Sequence, residues 1–408
     1  MYQRGLVTLS ADPIHNGHIQ LVKLAKQKCK QLFVLINNND NKKDSYLFSH
    51  DERFKLAKAA LSGMPEVSVI QSYSEVLSDI YISLNCDVLF RGIRNDKDQA
   101  YEEEQMSYHA MVYNKINPEY LSFRDKSAIS SSIVKSFVSH YIDVSKYVPT
   151  CVKKALEEKI SKQYKIAITG GIAVGKSWVA DSLVKSCDFK ISSIRRFRPD
   201  YTQPISPCYN NKFSVNVIKF DDLIRSIYDD SFPGAVEMKK EIDRVIHSYH
   251  PDNYTSVFDS QGIFNKKMLA SVMFNEHTSP SLRLDIQKLT QPFVEMKYRE
   301  ALKIAGPGLV IIEWAQLGEM NVGDWTNYNV IVVDSPDRQL FLNNRGISEK
   351  QFKDINRVQW TAKEKIEALK TSASLNGGGG NIIEFMNSIH DNKIDALADA
   401  VMDILKLK

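Results

Sequence analysis

Gly170-Gly171-Ile172-Ala173-Val174-Gly175-Lys176-Ser177 fits the pattern G-x-x-x-x-G-K-[ST] at every position. The run before it, Tyr164-Lys165-Ile166-Ala167-Ile168-Thr169, is short and apolar and reads as a buried strand. The run after it, Trp178 to Val184, carries apolar residues at helical spacing. Strand, glycine loop and helix in that order are the setting in which this motif holds phosphate. The glycines let backbone N–H groups curl around a phosphate chain, and the helix N-terminus adds positive potential. Gly170, Gly171, Val174 and Gly175 would line the phosphates of ATP, and Lys176 would reach the β- and γ-phosphates. Ser177 would offer its hydroxyl to Mg²⁺. The loop lies mid-chain, so the first ~160 residues need a fold of their own.

At 408 residues, two domains of ordinary size are expected. A hydrophobic fraction of 43% and a charged fraction of 25% place the chain among soluble globular proteins. The net charge of +4 suits anionic small ligands and does not call for a nucleic acid. Five scattered cysteines, Cys29, Cys86, Cys151, Cys187 and Cys208, form no C-x-x-C pair. They argue for reduced thiols, a cytoplasmic setting and no zinc site. The first residues lack an apolar core of signal-peptide length, and no run approaches ~18 apolar residues, so neither a leader nor a membrane span is expected.

In the first part, Leu6 to Leu9 reads as a strand, and Ile19 to Ala25 as a helix apolar on one face. Between them stands Ser10-Ala11-Asp12-Pro13-Ile14-His15-Asn16-Gly17-His18. Two histidines at a strand-to-helix junction bring imidazole donors and helix N–H groups to one point, which suits a phosphate whose charge grows in a transition state. Further strands are expected at 31–36, 67–70 and 87–90, with helices at 51–61, capped near Ser49, at 74–84 and at 101–114. Arg91-Gly92-Ile93-Arg94 follows the fourth strand directly, where ligands sit in open α/β sheets. Ser130-Ser131-Ser132 opens another helix, with hydroxyl and backbone donors available to phosphate. Residues 148–163 read as a joining helix.

This alternation predicts a parallel α/β fold, and the motifs resemble the phosphopantetheine adenylyltransferase family of HxGH nucleotidyltransferases over about residues 1–160. The resemblance rests on residues 12–18, Lys42, Arg91 to Arg94 with Tyr101-Glu102, and residues 129–135. It implies a Rossmann-like domain in which His18 stabilises the α-phosphate transition state. It also implies that Ser10 and Lys42 hold the phosphate of the acceptor, and that Ser10, His15, Gly17, His18, Arg91, Gly92, Arg94, Glu102 and the serines Ser130, Ser131 and Ser132 surround ATP. His15 stands where that family commonly has threonine, and this form is shared with nicotinamide mononucleotide adenylyltransferases.

In the second part, residues 190–216, with Arg195-Arg196-Phe197-Arg198, read as a solvated insertion loop, and 229–262 as a second one. Val215 to Phe220 reads as a strand ending in Asp221-Asp222. A carboxylate there, opposite a phosphate loop, can take the proton of an attacking hydroxyl. Strands are expected at 309–313 and 330–334, helices at 338–345, 348–358, 362–369 and 394–405, and a glycine turn at 377–380. About residues 164–408 resemble dephospho-CoA kinase, a P-loop kinase, through the glycine loop, Val217 to Asp221, Leu317-Gly318-Glu319, Val332 to Pro336, Arg345 and Arg357-Val358-Gln359. The resemblance implies Asp221 as base, with Lys219 in place of a first carboxylate, and Arg345 on ATP. Thr290-Gln291-Pro292 stands where His-Pro is usual.

Together the two resemblances imply the last two steps of coenzyme A synthesis, with ATP, 4′-phosphopantetheine and dephospho-CoA as substrates and Mg²⁺ at both sites. Two alternatives stand beside this: a nicotinamide mononucleotide adenylyltransferase fused to a ribosylnicotinamide kinase, and a nucleotide-sensing or nucleic-acid-binding protein with one decayed domain. Oligomeric state is left open.

Overall fold

The computed structural model describes residues 1–38, 45–71, 76–93, 96–122, 129–193, 214–249, 256–273, 278–343, 352, 356, 359–390 and 393–405. Lys42, Arg94, Arg345, Arg357 and the Arg195–Arg198 cluster lie outside these residues, as does most of the expected helix at 348–358. The chain forms two units, Met1–Ile160 with Asn376–Gly378, and Ser161–Leu375 with Gly379–Lys408. Each is built on its own five-stranded parallel sheet.

The first unit runs β1 (Tyr2–Leu9), α1 (Asn16–Lys26), β2 (Cys29–Ile36), α2 (His50–Ala60), β3 (Val67–Gln71), α3 (Leu77–Ser83), β4 (Val88–Ile93), α4 (Asp96–Val112), β5 (Pro118–Ser122), α5 (Ser131–Ser139) and α6 (Thr150–Leu156). The strand order is β3-β2-β1-β4-β5. Successive strand residues point to opposite faces, and both faces are apolar. Val7, Val34, Val88 and Phe90 pack with α1, α2, α5 and α6, while Leu6, Leu35 and Leu89 pack with Leu77, Ile80, Tyr81 and Met106. Burying one such side chain fully stabilises the unit by about 2 kcal/mol. The chain leaves β1 for β2 on one side and returns with β4 on the other. That reversal opens a crevice at the carboxyl ends of β1 and β4, where the histidine motif and Arg91 stand.

The second unit runs β6 (Gln163–Gly170), α7 (Lys176–Ser193), β7 (Ser214–Lys219), α8 (Phe220–Ser226), α9 (Pro233–Tyr249), α10 (Lys266–Met273), α11 (Pro280–Ala305), β8 (Gly308–Glu313), β9 (Asn329–Asp334), α12 (Arg338–Asn343), α13 (Ala362–Leu375), β10 (Asn381–Met386) and α14 (Ile394–Ile404). Its order is β10-β9-β6-β8-β7, with the glycine-loop strand in the middle. Leu309 to Ile312 and Val330 to Val333 are buried without a break, as strands covered on both faces require.

Several expectations are corrected. The expected joining helix ends at Leu156; a π turn follows, Lys162 takes a positive φ of 54°, and Gln163 already belongs to β6. The stretch 229–262 is not a simple loop, because α9 lies within it and buries Ala235, Met238, Ile242 and Ile246 at helical spacing. Thr290-Gln291-Pro292 sits inside α11. The strand expected to end at Asp221 ends at Lys219, and α8 begins at Phe220. Strands β5 and β10, both sheet edges, were not expected. Among the described residues no helix is long and apolar enough to cross a membrane.

Candidate functional site

In the first unit, the histidine motif is a helix cap built from two rings. His15 is the N-cap of α1, and its Nδ1 accepts the Gly17 N–H at 3.2 Å. His18 Nδ1 accepts the His15 N–H at 3.3 Å. The rings stack with centroids 3.7 Å apart and 25° between planes. A ring whose Nδ1 accepts carries its proton on Nε2, so the neutral His18 is a donor at Nε2. Gly17 is needed for this closeness: a Cβ there would stand 3.0 Å from His15 Cε1. His15 is buried and His18 half-buried.

The motif loop is tied to α5. Asp12, buried, accepts the N–H groups of Leu47 and Phe48, each at 3.0 Å, and the ammonium of Lys135 at 2.8 Å. Ser131 Oγ donates to the Pro13 carbonyl at 3.0 Å. Ser130 caps α5, accepting the Ile133 N–H at 3.3 Å, and Ser132 is exposed. The serine cluster and the histidine motif therefore meet, with two of the three hydroxyls already engaged by the fold. Arg91 and Glu102 form an ion pair, each 18% exposed, and Arg91 also donates to Thr8 Oγ1. Arg91 and Gly92 lie within β4, which runs on to Ile93 rather than ending before them. His109 on α4 is held below the ordinary imidazole range, first by burial and then by the Arg91 charge, with Glu102 opposing.

Ser10 is half-buried, and its carbonyl is held by a residue that sequence reading missed. Arg53, on α2 and 1% exposed, donates to the carbonyls of Ser10 and Asn37 and to the Asn38 amide oxygen. Its guanidinium lies 4.1 Å from the centre of the Tyr46 ring. Arg53 thus joins the residues that follow β1 and β2. The only sequence signal was a charge on the inner face of a short amphipathic helix, which reads as a solvated residue.

In the second unit, Lys176 Nζ donates to the Gly171 carbonyl at 2.8 Å, folding back over its own loop. Ser177 Oγ donates to Glu313 Oε1 at 2.6 Å, while Glu313 Oε2 is buried and has no hydrogen-bond partner among the described residues. Glu313 ends β8, in register with Ile168 of β6 and Lys219 of β7. A carboxylate beside the loop hydroxyl, with one oxygen unsatisfied, fits a hard divalent cation that takes its remaining ligands from phosphate and water. Glu313 was read only as the end of a strand. Gly170 and Gly175 have φ of 149° and 83°; at Gly175 a Cβ would stand 2.2 Å from Asn387 Nδ2. Asn387, beyond β10, donates that amide to the Val174 carbonyl at 2.9 Å.

Asp221 stands exposed in the first turn of α8. The protein around it desolvates the carboxyl and raises its pKa, while the charges of Lys176 and Arg225 pull it back down. Lys176 and Asp221 therefore share one electrostatic neighbourhood. Phe220, next to it, stacks on Trp314 at 4.1 Å in a cluster with Tyr298 and Trp325. The expected Leu317-Gly318-Glu319 element is held by Lys365: its buried ammonium ion-pairs with Glu319 and donates to the Ala315 carbonyl at 2.8 Å.

A family model described as cytidylyltransferase-like matches residues 10–137. The phosphopantetheine adenylyltransferase of Lactobacillus acidophilus is 35% identical over 152 residues, covering 37% of this chain and 93% of that protein. That of Lactobacillus gasseri is 37% identical over 155 residues, covering 38% of this chain and 92% of its own length. The chain belongs to the phosphopantetheine adenylyltransferase family. Its N-terminal part carries that membership and is a nucleotidyltransferase. The solved structure of a NadR protein in complex with NR aligns over 100% of this chain and 97% of its own, at a TM-score of 0.31 and 11% identity. For this phosphopantetheine adenylyltransferase family member, the cytidylyltransferase-like match spans the His15–His18 cap, Arg91 and the serine-capped start of α5.

Proposed function

We propose that the chain carries out the last two steps of coenzyme A synthesis. In the first unit, a phosphate oxygen of 4′-phosphopantetheine attacks the α-phosphorus of ATP, and diphosphate leaves. In the second, the 3′-hydroxyl of dephospho-CoA attacks the γ-phosphorus of a second ATP, losing its proton to Asp221, and ADP leaves. The observation that carries this reading is the presence of two anion-directed strand-to-helix junctions in one chain: the His15–His18 cap on α1, and the Lys176–Ser177–Glu313 cluster at α7.

His18 Nε2–H meets charge growing on the α-phosphate, and the α5 N-terminus with its serines faces the rest of the triphosphate. Ser10 and Lys42 hold the acceptor phosphate, and Arg91, Gly92, Arg94 and Glu102 frame ATP. The backbone of residues 170–175 and Lys176 hold the second ATP, with Arg345 beside it, and Ser177 with Glu313 would hold Mg²⁺. Mg²⁺, when bound, neutralises phosphate charge. The raised pKa of Asp221 suits a base. Among the described residues Cys29, Cys86 and Cys151 stand outside any disulfide, which agrees with the reducing, cytoplasmic setting proposed here.

A second reading, nicotinamide mononucleotide adenylyltransferase with a ribosylnicotinamide kinase, is favoured by His15 alone. One experiment separates them: mass spectrometry of products from purified protein, 4′-phosphopantetheine and Mg·ATP. Coenzyme A is expected. Dephospho-CoA alone would remove the kinase assignment. If neither forms and nicotinamide mononucleotide is adenylylated instead, the second reading replaces the first.

A further inference from the structure

Arg338 is the first residue of α12, one strand-to-helix junction away from the glycine loop. Its guanidinium lies directly on that loop. Nη2 stands 2.0 Å from where a Gly171 Cβ would be, so any side chain at 171 would expel it. Nε donates to the Ile172 carbonyl at 3.3 Å. Lys176 Nζ reaches the same stretch from the other direction, donating to the Gly171 carbonyl at 2.8 Å. Two cations therefore converge on two consecutive loop residues. Among the described residues Arg338 makes no ion pair with a carboxylate, and its partner there is the Ile172 carbonyl dipole.

The backbone that carries Arg338 is fixed relative to the loop. Asp337 accepts the Ile389 N–H at 2.9 Å, and Asn387, two residues before Ile389, donates to the Val174 carbonyl at 2.9 Å. The segment after β10 thus clamps the α12 start and the glycine loop together. A pre-positioned guanidinium loses little entropy on binding, and its planar fork matches two phosphate oxygens at once.

We propose that Arg338 is a phosphate-contacting catalytic residue of the second unit, supplying a second cation beside Lys176 to the β- and γ-phosphates of the bound nucleotide. This rests on the reading that the glycine loop holds a nucleotide. On nucleotide binding the guanidinium exchanges a carbonyl for phosphate oxygens without leaving the loop.

The test is calorimetric titration of the full chain with Mg·ADP, counting only the binding that Lys176→Met abolishes. That subtraction removes any nucleotide taken by the first unit. Arg338→Met is expected to weaken this component by tenfold or more, and to lower kcat for phosphorylation of dephospho-CoA about 10²-fold. Arg338→Gln keeps a donor for the Ile172 carbonyl and removes the charge. It is expected to behave like Arg338→Met, whereas a purely structural tether would be rescued by it. Binding by Arg338→Gln within twofold of the wild type overturns the proposal, and it remains the deciding variant if Arg338→Met does not fold. If the wild type and Lys176→Met bind alike, the loop holds no nucleotide, and the proposal falls with that reading. If binding depends on Arg338 and Lys176 yet dephospho-CoA is not phosphorylated, only the acceptor assignment falls.

Discussion

His15 and His18 stack face to face, centroids 3.7 Å apart, and each accepts a backbone N–H that opens α1. One ring closes the cap while the other is turned, by the same hydrogen bonds, to present Nε2–H. His18→Ala is expected to lower adenylyl transfer about 10²- to 10³-fold, the cost of one transition-state donor. The Lys176-dependent reaction is expected to stay unchanged. Separate assays of diphosphate release and ADP release on the same preparation check this, and loss of both activities in folded protein would contradict two independent sites.

Arg53 is buried at 1% exposure and bridges the carbonyls of Ser10 and Asn37. Arg53→Met leaves both without a charged donor, and is expected to destabilise the first unit by about 3 kcal/mol. Arg53→Lys is expected to recover less than half, because a single ammonium lacks the planar fork that reaches three acceptors. Thermal inactivation of adenylyl transfer measures the loss in this unit alone.

How much of this was legible depended on where the signal lay. The strand-to-helix junctions at 10–18 and 170–177 were readable because glycine, histidine and lysine have few other reasons to stand there. The buried strands at 309–313 and 330–334 were readable because parallel strands covered on both faces are unbroken apolar runs. Edge strands β5 and β10 were not, since half-exposed Glu119 and exposed Glu384 interrupt the pattern and four glycines, all at positive φ, precede β10. Helix α9 was readable in retrospect from Ala235, Met238, Ile242 and Ile246. Arg53, Glu313 and Arg338 were not, because what marks them is a partner 16 to 166 positions away.

His109 gives the first unit an acid sensitivity. Burial and the Arg91 charge hold its pKa below the ordinary range, so the fold favours the neutral ring. For a depressed pKa this contribution is present above the unfolded value of about 6.5 and is lost as pH falls through the folded value. Protonation also sets a cation beside the Arg91–Glu102 pair. Stability of adenylyl transfer is expected to decline below about pH 6.5, and His109→Gln to flatten that limb. An unchanged pH profile in the variant would remove His109 as the cause.

Lys365 is fully buried and paired with Glu319, which is 15% exposed. Burial pulls the ammonium pKa down and Glu319 draws it back up. Lys365→Met strands a carboxylate and the Ala315 carbonyl, at an expected cost of about 3 kcal/mol. Lys365→Met with Glu319→Leu is expected to recover part of it, since removing both charges leaves no unpaired one. All four tryptophans, Trp178, Trp314, Trp325 and Trp360, lie in the second unit, so urea unfolding followed by tryptophan fluorescence reads this unit alone.

Glu313 offers one oxygen to Ser177 and keeps the other buried without a partner among the described residues. A buried carboxylate oxygen in that state is costly, and a cation relieves it. Glu313→Gln is expected to raise the Mg²⁺ concentration needed for half-maximal phosphorylation about tenfold or more. Ser177→Ala is expected to act in the same direction, and the double variant to fall well short of the sum, because the two side chains are in contact. A readout apart from activity is the rise in tryptophan-monitored melting temperature with Mg·ADP over ADP alone. That increment should shrink in both variants. If Glu313→Gln kept the full Mg²⁺ increment, the carboxylate would be a structural partner of Ser177, and the metal would have to be held elsewhere.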